Sequence, residues 1–434
     1  MKIQSLHLEN YRCFQKLDIA FDKQLTVIVG VNGSGKTAIL DAVAVFLKGL
    51  TYSLPLTNGA YRNPAMFLKD IAINNISQGV DYEIVIAMSN SFSEDEKAES
   101  IDLKFKFQKD SMNSESLKLI ENNLEFRNFF LKVQGDNFKV NRLGMPVAAY
   151  YRSRQIGTVK GVPNANVNAY TDAFEPQIDF SATVRWFIEK DAEEARKQRK
   201  NRQYQDPELK AIRTAVSLAL GRYGEPFVDG TPPILYISPK DSDDAYTVEQ
   251  LSDGYRAMLA MIMDLARRMA MANGRLEYYS NKSVLESPAI VLIDEIELHL
   301  HPSWQQTVLP TLMHIFPNTQ FIVTTHSDQV LTSIPAKYIL ILKDGRTAAA
   351  PEESEGADSG RILKRIFAVD PRPNNNEFVK KLDEYADLVY AEQWDTAKAV
   401  SLKDDLEQHF GKDNEPRLKE LELHIDNAKW EKSL

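Results

Sequence analysis

The sequence predicts an α/β fold: a mostly parallel core sheet, an antiparallel β subdomain, a helical insertion and a helical C-terminal tail. Three observations predict it. The stretch Gly30-Val31-Asn32-Gly33-Ser34-Gly35-Lys36-Thr37 fits G-x-x-x-x-G-K-[ST] and lies between an apolar run, Leu25 to Val29, and a helical run, Ala38 to Leu47. The run Ala289-Ile290-Val291-Leu292-Ile293-Asp294 is apolar until its last residue, as expected of a strand buried on both faces of a parallel sheet. Short β-rich pieces crowd the region from about 80 to 150, which suggests a separate antiparallel unit.

The elements follow in order. Ile3 to Leu8 alternates apolar and polar residues, as a half-buried strand does, and a second strand leads into the Gly30–Thr37 loop. Residues 47–75 are turn-rich, with Pro55, Asn58-Gly59 and Asn63-Pro64. Asp81–Ala87, Ile101–Phe107, Phe138–Val140 and Val147–Tyr151 are assigned to the antiparallel subdomain. A helix over 180–202 carries Val184, Phe187 and Ile188 on one face and then a charged run. Pro207 opens a second helix with Leu209, Ile212, Val216 and Leu220. Strand signals return at Ile234–Ile237, Ala289–Asp294, Phe321–Thr325 and Tyr338–Leu342, with helices over Ser252–Ala272 and Pro302–Ile315 between them. A linker, Pro351–Gly360, precedes three amphipathic helices from Asn376 to Leu434. The expected division is an N-lobe at 1–155, an insertion at 156–231, a C-lobe at 232–350, and a linker with tail at 351–434.

Bulk properties narrow the function classes. The formal charge is −9 and the isoelectric point about 5.5, so the chain as a whole does not attract nucleic acid. Any such contact must use a local patch, and Arg196 to Arg202 is the dense basic run. No apolar stretch approaches the roughly 18 residues that span a bilayer. The N-terminus reads as a strand and not as a signal peptide. A single cysteine, Cys13, excludes an internal disulfide and fits the reducing cytoplasm.

The Gly30–Thr37 loop has a direct chemical reading. Glycines free backbone N–H groups to wrap an anion, and the following helix points its positive end at it. Gly30, Asn32, Gly33, Ser34, Gly35, Lys36, Thr37 and Ala38 are therefore the candidate phosphate contacts. Lys36 would reach the β- and γ-phosphates and Thr37 would ligate Mg²⁺. Asp294, at the end of its apolar strand, would hold Mg²⁺ mostly through water. Glu295 would take a proton from an attacking water. Phe321 to Thr325 is a strand that ends at His326, which could touch a γ-phosphate. Ser252 in Leu251-Ser252-Asp253-Gly254-Tyr255-Arg256 is by itself only a helix cap. His299 and His301 share a face of an extended segment but have no third ligand type nearby, so a metal there is not expected.

These motifs and their order resemble the ATP-binding-cassette ATPases of the RecF, SMC and OLD type. LSDGYR matches the signature LSxGx, and Ile293-Asp294-Glu295-Ile296-Glu297-Leu298-His299-Leu300-His301-Pro302 looks like that branch's DEPELHLHP form. Thr324-Thr325-His326-Ser327 looks like its switch segment, and Asn10-Tyr11-Arg12-Cys13-Phe14 like its N-terminal element. A closer resemblance is to the ATPases of Septu (PtuA) and retron antiphage-defence operons. It rests on Pro146 to Tyr151, Phe180-Ser181 to Trp186-Phe187, and Trp304-Gln305-Gln306.

The resemblance implies a Mg·ATP-dependent ATPase in which two heads sandwich nucleotide. Ser252 and Gly254 of one chain then reach the γ-phosphate held by its partner. It implies Gln155 as the Gln-loop contact to Mg²⁺ or water. Arg12 is either close to the phosphates or in a surface salt bridge. The tail shows neither the D-x-D pair of OLD-type nucleases nor an H-N-H pattern. The resemblance therefore places any DNA cutting in a separate HNH-type subunit, with DNA contact through the complex. A RecF-like repair ATPase, a transporter ATPase and a nucleotide-locked scaffold are the alternatives.

Overall fold

The computed structural model describes residues 2–53, 82–90, 99–109, 117–122, 146–152, 168–175, 180–274, 282–412 and 414–432. They divide into two compact units, Met1–Asp358 and Ser359–Leu434.

The first unit opens on the antiparallel pair β1 (Lys2–Tyr11) and β2 (Phe14–Ala20). Arg12, in the tight turn between them, has φ +51°. Next come β3 (Leu25–Val29) and α1 (Lys36–Ser53). β4 (Tyr82–Asn90), β5 (Glu99–Lys109) and β6 (Leu117–Asn122) extend the hairpin into a five-stranded antiparallel sheet of order β2-β1-β4-β5-β6. After β7 (Val147–Tyr151), helices α2 (Phe180–Gln198) and α3 (Pro207–Ala219) form a hairpin. Asp206 caps α3, and its carboxylate accepts from Glu208 N–H and Leu209 N–H. The strands β8 (Phe227–Asp229), β9 (Ile234–Ile237) and β10 (Tyr246–Thr247) make a small antiparallel sheet before α4 (Asp253–Asn273).

The core sheet has the order β14-β13-β3-β12-β11-β7, where β11 is Ala289–Ile293, β12 Thr319–Thr325, β13 Ile339–Lys343 and β14 Arg346–Ala349. All neighbours are parallel except β14, which returns antiparallel beside β13. Every residue of β3, β7, β11 and β12 is buried. Strands covered on both faces carry near-continuous apolar runs, as β3, β7 and β11 do, whereas β12 also buries Thr319, Gln320, Thr324 and Thr325. α1 lies between the two large sheets. Its Ile39, Val43, Phe46 and Leu47 share one core with Ile28, Tyr150, Ile290 and Ile322 of the parallel sheet and with Leu6, Leu8, Ile84 and Ile86 of the antiparallel one.

Three sequence-based placements are corrected. Val147–Tyr151 is not part of the antiparallel subdomain: it pairs in parallel with β11, Ala149 opposite Val291. Its five buried residues already had the pattern of a doubly covered strand. Pro302–Ile315 is not one helix but a turn of helix, Pro302–Gln305, followed by α5 (Val308–Ile315). Pro310 explains the break, because its ring collides with the carbonyl four residues back and so bars a continuous helix through Gln306. α1 runs to Ser53, beyond the expected start of loop at 47. Phe138–Val140 and Gln155 lie outside the described residues.

The second unit is built by α6 (Glu377–Tyr390), α7 (Ala397–Phe410) and α8 (Pro416–Lys432). Asn376 and Thr396 cap the first two with their side-chain oxygens. Leu382, Tyr385, Val389, Leu402, Leu406, Leu421 and Ile425 pack into one core with Trp394, so this tryptophan is used internally. Trp430 and Leu423 are each 64% exposed. Among the described residues no helix is long and apolar enough to cross a membrane.

Candidate active site

β3 delivers the chain to a loop whose glycines are each required. Gly33 and Gly35 have φ +80° and +103°, which side-chain-bearing residues rarely adopt. A Cβ at Gly35 would sit 2.6 Å from Cys13 Sγ, and one at Gly30 would sit 2.5 Å from the Leu342 carbonyl oxygen. The β1–β2 turn and β13 thus press directly on the loop. The first turn of α1 leaves the N–H groups of Lys36, Thr37 and Ala38 without intrahelical acceptors, which makes an anion cradle. Lys36 is buried and donates to the carbonyls of Gly30 at 2.9 Å and Val31 at 3.1 Å. Burial pushes its pKa down, against the pull of Asp294, Glu295 and Glu297.

Parallel pairing of β3, β12 and β11 brings the other motifs to the same end of the sheet. Thr37 Oγ1 donates to Asp294 Oδ2 at 3.0 Å, across 257 residues of sequence. Thr324 Oγ1 donates to the other oxygen, Oδ1, at 2.6 Å. Desolvation raises the Asp294 pKa, although both hydroxyls oppose it. A hydroxyl and a carboxylate side by side are the hard oxygen donors that Mg²⁺ takes, so these residues fit that ion. Glu295 has φ +53°, in the left-handed region where a non-glycine residue stores about 1 kcal/mol or more of strain. Its N–H is held by Thr324 Oγ1 at 2.8 Å. His326 follows β12 directly and is half-buried. Burial, then the nearby Lys36 ammonium, lower its pKa, which favours neutral imidazole near pH 7.

The structure adds residues that sequence reasoning missed. Asp41, one turn into α1 beyond Thr37, accepts from Arg12 Nη1 at 2.6 Å and Arg152 Nη2 at 2.9 Å. Arg12 is therefore in a partly buried ion pair beside the loop, and Arg152 is its unexpected companion. Arg152 follows β7, and only the adjacency of β7 and β11 puts it near Asp294. With Asp294, Glu295, Asp253, Arg256 and His299 it lines a cavity of about 240 Å³. Glu297 accepts from Thr325 Oγ1 and the His326 N–H. A second acid two residues after Glu295 was the available signal, but its partners are on another strand.

The Leu251–Arg256 segment begins α4. Ser252 is its N-cap, is exposed, and makes no side-chain cap hydrogen bond. Gly254 is needed for close approach, since a Cβ there would lie 2.5 Å from the His299 carbonyl oxygen. Tyr255 is held edge-on between Trp304, 4.2 Å away between centroids, and Tyr223, at 4.9 Å. His301 caps the Pro302 turn, its Nδ1 3.3 Å from the Ser303 N–H.

A buried charge cluster fixes the rest of α4. Asp264 accepts from Arg267 Nη2 at 2.7 Å, Arg268 Nε at 2.6 Å and Tyr151 Oη at 3.0 Å. Arg268 continues to the carbonyls of Ala169 and Thr171. Burial pushes the Asp264 carboxyl up, but the guanidiniums of Arg268 and Arg267 outweigh it and hold the pKa well below the usual range. The folded value is depressed, so this group's stabilisation is present above the unfolded pKa of about 3.9 and is lost as pH falls below it. Asp264→Ala leaves two buried cations without their carboxylate. We expect a loss of about 3–5 kcal/mol, read from the denaturation midpoint at pH 7. A midpoint equal to wild type would show that the cluster does not anchor α4.

Comparison with known proteins bears on this site. Residues 25–332 match the family described as "AAA domain, putative AbiEii toxin, Type IV TA system". The chain is 30% identical to the "Retron Ec83 probable ATPase" of Escherichia coli, over 99% of this chain and 88% of that one. It is 25% identical to the "Retron Vc95 probable ATPase" of Vibrio cholerae serotype O1 biovar El Tor, over 94% and 88%. Septu protein PtuA of Bacillus mycoides (strain KBAB4) is similar over a shorter part, 31% identical across 30% of this chain and 18% of that protein.

Proposed function

Because this chain belongs to that AAA-domain family, and with it to the ABC-type ATPases of the RecF/SMC/OLD branch, we propose that it binds and hydrolyses Mg·ATP as the regulatory ATPase of a bacterial antiphage-defence complex. One observation carries the reading: Lys36, Thr37, Asp294, Glu295 and His326 converge at one end of the core sheet, Lys36 held by its own loop and each of the others by a neighbour from another motif. Lys36 and the loop N–H groups bind the β- and γ-phosphates. Thr37 and Asp294 hold Mg²⁺, which when bound neutralises charge on the phosphate oxygens. Glu295 accepts the proton of the attacking water, and neutral His326 donates a hydrogen bond toward the γ-phosphoryl group.

The same reading makes the site composite. Two chains associate head to head, and Ser252 and Gly254 of one approach the γ-phosphate bound by the other. The exposed Ser252 hydroxyl at the positive end of a 21-residue helix supports this. Gly254 against His299 makes the signature and the following loop one surface. Association then follows nucleotide state, because ATP binds the closed pair better than the open one.

The effector is a separate HNH-type nuclease docked on the 359–434 unit, where Leu423 and Trp430 offer exposed apolar anchors. The last turn of α2 and the turn after it expose Arg196, Lys197, Arg199, Lys200 and Arg202 and are the segment suited to nucleic-acid phosphates. Phosphate release from Mg·ATP by the purified chain tests the enzymatic part. For the docking part, deleting 359–434 should leave ATP affinity within about threefold and abolish co-purification with the effector. Retention of the effector by the shortened chain would defeat that assignment.

A further inference from the structure

Beyond Asp294, two more carboxylates follow β11 in quick succession, and the structure gives them different work. Glu295 is held through its backbone: its N–H donates to Thr324 Oγ1 at 2.8 Å, and its carbonyl accepts from the Leu298 N–H at 3.0 Å. Glu297 is held through its side chain. Its Oε2 accepts from Thr325 Oγ1 at 2.6 Å and its Oε1 from the His326 N–H at 2.7 Å. Bonds to a carboxylate are about twice as strong as neutral ones, so these two tie the segment more firmly than the backbone bonds around them.

They belong to a continuous seam. Ile296 N–H donates to the Thr324 carbonyl at 3.1 Å. Ser327 N–H donates to Thr325 Oγ1 at 3.0 Å, and Ser327 Oγ donates to Gln305 Oε1 at 2.6 Å. Gln305 Nε2 returns to the Leu300 carbonyl at 2.8 Å. Residues 294–297 and 305 thus grip residues 324–327 along their length, and Gln305 is itself anchored on Leu300. The strand end bearing His326 and the loop bearing Glu295 are tied at each step.

On the footing of the ATPase reading, we propose that Glu297 is a positioning residue for His326. Its carboxylate fixes the Thr325–His326 peptide relative to the loop that carries Glu295, so base and switch histidine hold one spacing. Both its oxygens are engaged, which leaves the neighbouring Glu295 as the acid free to face water. Gln305 completes the clamp on the far side of Ser327. Glu297 acts through His326 and does not itself touch the reacting atoms.

ATP hydrolysis by wild type, Glu297→Ala, Glu297→Gln and Thr325→Val, with ATP affinity measured separately, tests this. Glu297→Ala removes both acceptors, and its kcat should fall about 100-fold, the cost typical of an ångström-scale misplacement. Its ATP affinity should stay within about threefold, because the phosphate cradle is untouched. Glu297→Gln keeps an amide oxygen for the His326 N–H and offers an N–H to Thr325 Oγ1. It should recover to within about fivefold of the wild-type kcat. Thr325→Val acts on the same contact, so its cost should not add fully to that of Glu297→Ala in the double variant.

Three outcomes overturn the proposal alone: wild-type turnover by Glu297→Ala, equal impairment by Ala and Gln, or an affinity loss that parallels the kcat loss. A wild-type chain that binds ATP and releases no phosphate would instead sink the ATPase reading, and this role with it.

Discussion

Lys36→Ala is expected to abolish ATP binding at any practical concentration. Lys36 is the cation of the phosphate loop, and Asp294, Glu295 and Glu297 all act on its charge. Removing it does more than delete contacts. It leaves the charge of these acids uncompensated near the place where a triphosphate must lie. Each hydrogen bond from a charged donor is worth about 1.5–3 kcal/mol, so losing contacts to two phosphates corresponds to roughly 100-fold in affinity or more before repulsion is counted. The fold should survive, because Lys36 donates only to the carbonyls of Gly30 and Val31, in a loop that borders solvent. Titration with a fluorescent ATP analogue, alongside circular dichroism, measures both. Affinity within about threefold of wild type would place the nucleotide elsewhere.

Glu295→Gln is expected to separate binding from chemistry. The amide has the carboxylate's shape, and no side-chain bond of Glu295 holds the fold: its anchor is the backbone N–H on Thr324. It cannot accept a proton from water at neutral pH. General-base catalysis contributes about 10²- to 10⁴-fold, and kcat should fall within that range. ATP affinity should be kept or rise slightly, since one negative charge near the phosphates is gone. If hydrolysis opens the head-to-head pair, the variant should accumulate as an ATP-bound dimer, visible by light scattering as twice the protomer mass. Wild-type turnover by Glu295→Gln would remove it as the base. A monomer at saturating Mg·ATP would remove the composite site. The two results are independent, so each part can fail separately.

Much of this site was legible in the sequence, and the reason is local. A phosphate loop needs glycines at fixed positions because two of its residues take positive φ, and those glycines are spelled out as Gly33 and Gly35. A fully covered strand needs an apolar run, so β11 announced both its burial and the acids at its end. His326 was readable because β12 ends one residue earlier. Other features were not readable. Arg152 carried no signal, since its partner Asp41 is 111 residues away. Glu297 stood in plain view beside Glu295, but which acid is clamped and which is free depends on Thr325 and His326 across the sheet. Val147–Tyr151 follows short strands that suggest a meander, and only its parallel pairing with β11 assigns it to the core sheet.

The sequence by itself determined the local chemistry of this protein: the anion cradle, its lysine, the acid pair and the histidine, each set by backbone geometry over a few neighbouring residues. Only the tertiary structure decided how they are shared out. The order β3-β12-β11-β7 aligns the ends of parallel strands that are far apart in the chain. Hydrogen bonds between those ends then hold Glu297 and leave Glu295 free, and strand order is a property of non-local packing that no short motif encodes.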